Sequence, residues 1–555
     1  MFIDSNSNSR PAGVRVTAAA APRFAWVMAA LVGVWAFAYL PWLGLLDLHS
    51  EEPRRALVAR TMLETGQYWV PQLAGEPYLH KPPLFNWAIA ASASLFGELS
   101  ELSARLPSVL SVLALALLFV WGVRSRLKPW PLAFFGASLL LAPAILGKGC
   151  MAEIDPLFTL LVAASIGSWY RLFSMSATGI KLWVLPLALV ALAYLTKREP
   201  AVVFFYLAVG PFLVLRGRWR LLLEPGHFAG IAVAAALAIS WPLQVAAQTG
   251  WRAFWDILRF EVLQQGMIGL KASDVLAHVA SYPFAIFALL LPFSALLPLL
   301  ACRELRARVR ARFGDLYIFA ALAVAANLPI YWFHGHISVR YVQPLYPFML
   351  LLAAMVLEVL GDDRASATRT GLRYLRVVYW TSFGIAALGV GVLLASPALP
   401  RAVAGFVPLF PTAVTIALVS AGGVALWILA HQARDPAPPI LLAVFCTAVL
   451  ALRATYFNVV LPERATRYNV ESSAPLIAAE VERLVERGAP IHAGNVPWAV
   501  WYYGERLALR RLTDDMRPSA GSWLLIRENL TARFPLEEQA RFVYRDDVLL
   551  LGRAK

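Results

Sequence analysis

Within the first hundred residues, three carboxylates and one lysine have the types and the setting for chemistry on a charged headgroup. Asp47, Glu51 and Glu52 follow directly on the first long apolar run, at the edge of a bilayer if that run spans one. A carboxylate held there can take a proton from an attacking hydroxyl or orient a bound group. Acidic residues at a helix start also stabilise its macrodipole, and Glu51 and Glu52, ahead of Arg54, could serve that alone. Lys81 precedes Pro82 and Pro83, which stiffen the backbone where the next apolar stretch begins. A cation fixed in this way suits a lipid phosphate, whereas a lysine at a helix entry can also simply snorkel toward water.

The elements that must position these residues are of one kind. The chain is 59% hydrophobic and 15% charged over 555 residues, with near-uncharged apolar runs of about twenty residues, the length that crosses a bilayer core. Continuous apolarity without period-two alternation selects helices over a barrel, and a soluble protein is excluded. Hydropathy predicts about thirteen spans, near 24–46, 106–123, 131–147, 156–173, 182–196, 200–215, 228–248, 281–301, 316–333, 342–360, 377–396, 408–430 and 439–457.

The formal charge of +15 would suggest nucleic acid in a soluble domain. Here the basic residues sit in short patches between apolar runs, such as Arg124, Arg126 and Lys128, Arg216, Arg218 and Arg220, and the arginines of 303–312, so they read as topology signals. The asymmetry predicts a cytoplasmic N-terminus and, with an odd number of spans, a periplasmic C-terminal tail. The first apolar run, behind Arg10, Arg15 and Arg23, is too long for a typical signal peptide and reads as a retained span. Cys150, Cys302 and Cys446 are widely spaced in or beside apolar segments, so neither a disulfide framework nor a thiolate metal site is expected.

Two parts break this pattern. The first outer loop, from Asp47 to about Arg105, is longer than a connection between neighbouring helices requires. In it EEPRRALVARTML predicts a juxtamembrane helix with Pro53 in its first turn and Leu57, Val58 and Met62 as apolar contacts. From Pro462 the composition changes: a helical pattern in SAPLIAAEVERLVERG and strand-like WLLI and DVLLLG predict a small extramembrane α/β domain. The expected division is a membrane domain over 1–461, containing the 47–105 loop, and an α/β domain over 462–555. A second outer stretch, Thr249 to Ser281, with Arg252, Arg259, Glu261 and Lys271, reads as a mobile lid.

In order along the chain stand Glu51, Glu52 and Arg54, then Met62, Gly66, Trp69 and Pro71, then Gly75, Tyr78, Lys81, Pro82, Pro83 and Leu84, then Phe96, Gly97, Arg105, Leu106, Pro107 and Ser108. This series resembles the protein mannosyltransferase and aminoarabinose (lipid A) transferase families of the GT-C fold. KGCMAEIDPLF, AYLTKREPAVV and RYVQPLYP extend the resemblance and add Glu153, Asp155, Lys197, Arg340 and Tyr341. Family members usually carry Asp-Glu where this chain has Glu51-Glu52, and often Glu or Asn at His80. The catalytic carboxylate therefore stays open between Glu51 and Asp47.

The resemblance implies an α-helical polytopic membrane enzyme of GT-C type that moves a sugar, with inversion, from a polyprenyl phosphate to an acceptor outside the membrane. Charge gathering on the leaving phosphate needs fixed cations, for which Lys81, Lys197, Arg54 and Arg340 are the candidates. Glu51, Asp47, Asp155 and Glu153 are the candidate catalytic carboxylates, with Asp155 and Glu153 in auxiliary or amine-recognising parts; Asp155, ahead of Pro156, can also serve only as a helix-start charge. Tyr78 and Tyr341 are candidate sugar or lipid contacts, although tyrosine is common at membrane interfaces. No cofactor is required, because the lipid phosphate is already activated, and a divalent metal is compatible with the chemistry. His334 and His336 lack a clear third ligand, so no metal ligand is assigned.

The expected partners are the donor, a lipid or protein acceptor and membrane lipids, without nucleic acid, around a monomer. A flippase of lipid-linked sugars is the rival, and it predicts mid-span ionisable residues and related halves. Glu224 and Glu358, at inner helix ends, make no such relay.

Overall fold

A chain crossing a hydrocarbon layer must satisfy its own backbone, and a helix does so within one segment. The computed structural model describes residues 21–44, 46–252, 255, 272–333, 338–362, 369–395, 438–456 and 473–555. Up to residue 456 its regular structure is helical apart from one small hairpin. In chain order these elements begin with α1 (Ala21–Tyr39), α2 (Glu52–Thr65), α3 (Leu84–Phe96), α4 (Glu101–Val123), α5 (Pro129–Leu141), α6 (Pro143–Gly149), α7 (Ile154–Ser174), α8 (Ile180–Lys197), α9 (Pro200–Leu215) and α10 (Pro225–Thr249).

Among the described residues six stretches are long and apolar enough to cross a membrane: α4, α7, α8, α10, Asp315–Trp332 and Val339–Asp362. The pair α5 and α6, bent by 49°, makes a seventh if counted as one span. The protein is therefore a multi-pass membrane protein.

Several expected spans change shape at prolines, which lack the N–H that continues the helical ladder. The run expected to reach residue 46 leaves the α-helix at Tyr39 and tightens into a 3-10 turn over Leu40–Trp42, with Pro41 inside it. The run over 131–147 breaks between Leu141 and Pro143. The span expected at 281–301 is a helix, Ala272–Leu289, followed after Pro292 by a 3-10 segment, Phe293–Ala301. The expected span at 408–430, Arg10 and Arg15, the lid residues Arg259, Glu261 and Lys271, and His334 and His336 lie outside the described residues.

The bundle core is aromatic as well as aliphatic: Trp169 stacks on Phe173 and Phe319 at 5.2 and 5.8 Å and meets Phe212 edge-on at 6.3 Å. At one end the basic loops are tied together. Arg216 pairs with Asp315, Lys128 with Asp362, and the buried Glu358 accepts from the Lys128 N–H at 2.7 Å and from Arg312 at 3.4 Å.

The opposite end carries α2, α3 and a two-residue hairpin, β1 (Gln72–Leu73) and β2 (Glu76–Pro77). Its turn residues Ala74 and Gly75 both have positive φ, 53° and 83°, as the tight right-twisting hairpin turn demands. Residues 473–555 pack on this end. They form helices Ala474–Leu484 and Trp498–Tyr503 and a five-stranded sheet of β3 (Pro490–Gly494), β4 (Ala508–Arg511), β5 (Trp523–Arg527), β6 (Leu536–Tyr544) and β7 (Asp547–Ala554), in the order β4-β3-β5-β7-β6. β3 is parallel to β4 and β5, while β7 is antiparallel to β5 and β6.

The sheet is tied to the first loop by two adjacent tyrosines. Tyr503 Oη donates to Glu101 and accepts from the Leu48 N–H, both at 2.7 Å, and Tyr502 Oη donates to the Leu99 carbonyl at 3.0 Å. Arg60 donates to the Tyr502 carbonyl at 2.9 Å and stacks over its ring at 4.3 Å.

Candidate active site

Glu51 and Glu52, adjacent in sequence, have opposite surroundings. Glu52 is 0% exposed and accepts from Arg105 Nε at 2.7 Å, Arg105 Nη2 at 3.0 Å, the His49 N–H at 3.1 Å and the Ala152 N–H at 2.8 Å. Arg105 donates in addition to the carbonyls of Leu43, Leu46 and Asp47. One buried, bidentate pair thus binds the end of the first span, α2, α4 and the connection into α7. Burial works to raise the Glu52 pKa, but hydrogen bonds from His49 and Arg105 outweigh it and hold the group at about 2. A carboxylate so committed is a clamp and a poor base.

Glu51 is 34% exposed and faces the cations of its own helix, ion-paired to Arg54 and 3.8 Å from Arg55. Burial, with the like charge of Arg55 alongside, draws the Arg54 guanidinium below its usual value, and Tyr78 and Glu153 act against that. Arg55 donates to Tyr78 Oη at 3.1 Å, and the buried Asn86 holds the Arg55 carbonyl at 2.9 Å. These contacts lock the hairpin and α3 to the polar side of α2.

The second half of the site comes from three helix ends. Glu153 caps the start of α7 with its backbone held by Ser108, whose hydroxyl donates to the Glu153 carbonyl at 2.9 Å. Its buried carboxylate takes Lys148 at 2.7 Å, with Arg340 at 3.9 Å. Asp155, also buried, pairs with Lys197 at the last residue of α8. Lys197 Nζ lies 4.2 Å from the centre of the Tyr341 ring, and Arg340 stacks 5.5 Å from the same ring. Arg340 is 35% exposed, and its Nε finds no hydrogen-bond partner among the described residues.

The geometry therefore gathers Glu51, Arg54, Tyr78, Glu153, Asp155, Lys197, Arg340 and Tyr341 at one end of the bundle. Five cations, counting Arg55 and Lys148, face the three carboxylates, and the surplus of positive charge suits a phosphate ligand. Lys81 is half-buried and stands two residues after Leu79, whose carbonyl accepts from Arg198 at 2.6 Å. Arg198 itself has φ of 65°, a left-handed conformation rare outside glycine, at the sharp turn directly after Lys197.

Asp47 is not brought into this group. Its side chain is exposed, its charged neighbours are Glu101, Arg105 and His49, and reduced solvation together with Glu101 pushes its pKa up. Sequence reasoning also passed over Lys148 and Arg55. Lys148 stands five residues before Glu153 in the same short segment, a spacing that was visible; the orientation of Arg55 toward Tyr78 was not. Among the described residues no three histidine, cysteine or acidic side chains converge as a metal site.

Three comparisons bear on this arrangement. Residues 80–242, which contain Lys81, Lys148, Glu153, Asp155 and Lys197, match the family model described as dolichyl-phosphate-mannose-protein mannosyltransferase. The chain is 30% identical over 349 residues to the undecaprenyl phosphate-alpha-4-amino-4-deoxy-L-arabinose arabinosyl transferase of Edwardsiella ictaluri, covering 61% of this chain and 60% of that protein. It is 28% identical over 400 residues to the enzyme of the same name from Serratia proteamaculans, covering 67% of each. The matches thus span about three-fifths to two-thirds of these curated relatives. The fold matches the crystal structure of ArnT from Cupriavidus metallidurans bound to undecaprenyl phosphate, with a TM-score of 0.68 at 19% identity over 96% of this chain and 98% of that one. The apo form of the same protein gives 0.66 at 17% identity over the same shares. The chain thus shares the fold of ArnT from Cupriavidus metallidurans and, over part of its length, is similar in sequence to the protein mannosyltransferase model and to the aminoarabinose transferases.

Proposed function

We propose that the protein transfers a sugar from a polyprenyl phosphate to an acceptor on the outer face of the bacterial inner membrane, with 4-amino-4-deoxy-L-arabinose and lipid A as the first pair to test. The observation that carries this reading is the cation-rich, partly buried cluster of Arg54, Lys148, Lys197 and Arg340 around Tyr341 and Tyr78. Relatives named as undecaprenyl phosphate-aminoarabinose transferases support the choice of donor and sugar.

In the proposed reaction the acceptor oxygen attacks the anomeric carbon while the bond from that carbon to the donor phosphate oxygen breaks. The electron pair leaves on the phosphate, which becomes a monoester with an added negative charge. Arg340, Arg54 and Lys81 meet that charge, and Lys197 and Lys148, anchored by Asp155 and Glu153, hold the positive field in place. Glu51 is the carboxylate with both solvent access and a place beside the cations. With a hydroxyl acceptor it takes the proton; with an ionised phosphate acceptor no proton moves, and it orients the acceptor or the amino sugar.

The test is turnover by the purified protein in detergent with polyprenyl-phosphate sugars and a lipid A acceptor, following release of polyprenyl phosphate by mass spectrometry. Release that disappears in Glu51→Gln and Lys81→Ala supports the transferase. Donor binding without transfer to any acceptor would favour the flippase.

A further inference from the structure

The sheet of residues 473–555 holds a concavity, separate from the cluster above, with a volume of about 400 Å³. That is within the roughly 300–1,000 Å³ of small-molecule sites. It opens at the carboxyl ends of the neighbouring parallel strands β3 and β4, between Asn495 and the stretch Arg511 to Asp514. The ends of parallel strands are where α/β sheets receive ligands, because the chain leaves in different directions there and opens a crevice.

Its lining has the chemistry of a saccharide site. Trp498 and Trp501, both half-buried with ring centroids 6.0 Å apart, give apolar faces against which the C–H face of a sugar ring packs. Asn495 and Thr513 supply hydroxyl-directed polar groups at the rim. The charge is also informative. Asp514 is engaged by Arg533 at 3.1 Å and Asp515 by Thr513 at 2.6 Å, whereas Arg511 is exposed and has no carboxylate partner among the described residues. A guanidinium left open beside an aromatic wall is suited to a bidentate phosphate contact.

Position connects this pocket to the first site. Trp498 lines the pocket and also packs against the cluster of Val58, Met62, Leu73 and Tyr78. The same Tyr78 receives the hydrogen bond from Arg55. One wall, made of α2 and the Trp498–Tyr503 helix, therefore lies between the pocket and the cluster.

We propose that this pocket binds the phosphorylated saccharide of the acceptor and holds it beside the sugar-transfer site. The proposal rests on the transferase reading for its purpose, but its test reads binding alone. The probe is a fully deacylated glucosamine disaccharide bisphosphate, titrated against the full-length protein in nanodiscs while tryptophan fluorescence is followed.

Saturable quenching by the wild type is expected, with affinity at least tenfold weaker in Trp501→Ala and in Arg511→Ala. Arg483→Ala, on the exposed face of Ala474–Leu484, serves as the control and keeps wild-type affinity. No saturable response, or equal affinity in both pocket variants, overturns the proposal. Binding that follows the expected pattern in a protein that transfers no sugar sustains the pocket and removes the transferase reading instead.

Discussion

At one end of the bundle Arg216 meets Asp315 and Lys128 meets Asp362 in the open, each partner reaching solvent; at the other, Glu52 and Arg105 close on each other out of contact with water. The exposed pairs join loops rich in arginine, where charge orients the chain and each ion pair contributes about 1 kcal/mol or less. The buried pair carries a large desolvation cost that only full hydrogen bonding offsets, and Glu52 accepts from Arg105 and from two backbone N–H groups. In the exposed pairs at the first end charge is only loosely specified. At the second it is specified atom by atom, because it must set the position of α2 and of the residues that α2 presents.

The sharpest way to break this contrast is Glu52→Ala, which leaves Arg105 buried without its carboxylate. A loss of about 3–5 kcal/mol is expected, read as a lower thermal midpoint in detergent, and Glu52→Ala/Arg105→Met should recover part of it. A double variant no better than the single one would mean that the clamp does not act through paired charge.

Acid probes the same contact without mutation. The Glu52 pKa falls from 4.5 to about 2 on folding, so its contribution is complete above about pH 4.5 and is lost as pH drops toward 2. The amount is about 3 kcal/mol. The fall in thermal midpoint across this window should flatten in Glu52→Gln/Arg105→Met; an unchanged slope would place the acid sensitivity elsewhere.

Function separates from stability at Arg340, which is part-exposed and only distantly paired. Arg340→Ala is expected to lower turnover by about a hundredfold with little change in thermal midpoint, a split that a merely structural arginine would not give. The smallest effect belongs to the basic end. Arg216→Ala should shift stability by less than about 1 kcal/mol, and a shift as large as that of Glu52→Ala would erase the distinction between the two ends.

What was legible in the sequence follows the range of the interactions. Helix α2 was readable from Pro53 in its first turn, and it runs on to Thr65 and ends at Gly66, where φ of 70° suits glycine. The motif residues from Glu51 to Ser108 pointed to the loop that carries half of the site. The difference between Glu51 and Glu52 was not readable, since it depends on Arg105, fifty-three positions away. Asp47 was drawn toward the site by proximity in sequence, yet the turn through Ser50, with φ of 59°, leaves it beside Glu101 instead. Hydropathy located the apolar runs but not their breaks at Pro143 and Pro292, because it scores the side chain and not the missing N–H.

The two tyrosines at 502 and 503 give the molecule a timetable. A chain leaves the ribosome from its N-terminus at about 5–20 residues per second. Leu48 and Glu101 thus precede Tyr503 by 455 and 402 positions, or roughly 20 to 90 seconds at that pace. Throughout that interval the loop bearing Glu51 and Arg54 has been synthesised, while the wall that Trp498, Tyr502 and Tyr503 supply has not. A half-made chain therefore lacks that wall, and a stop codon between residues 342 and 497 removes it while leaving the earlier cluster of cations encoded in full.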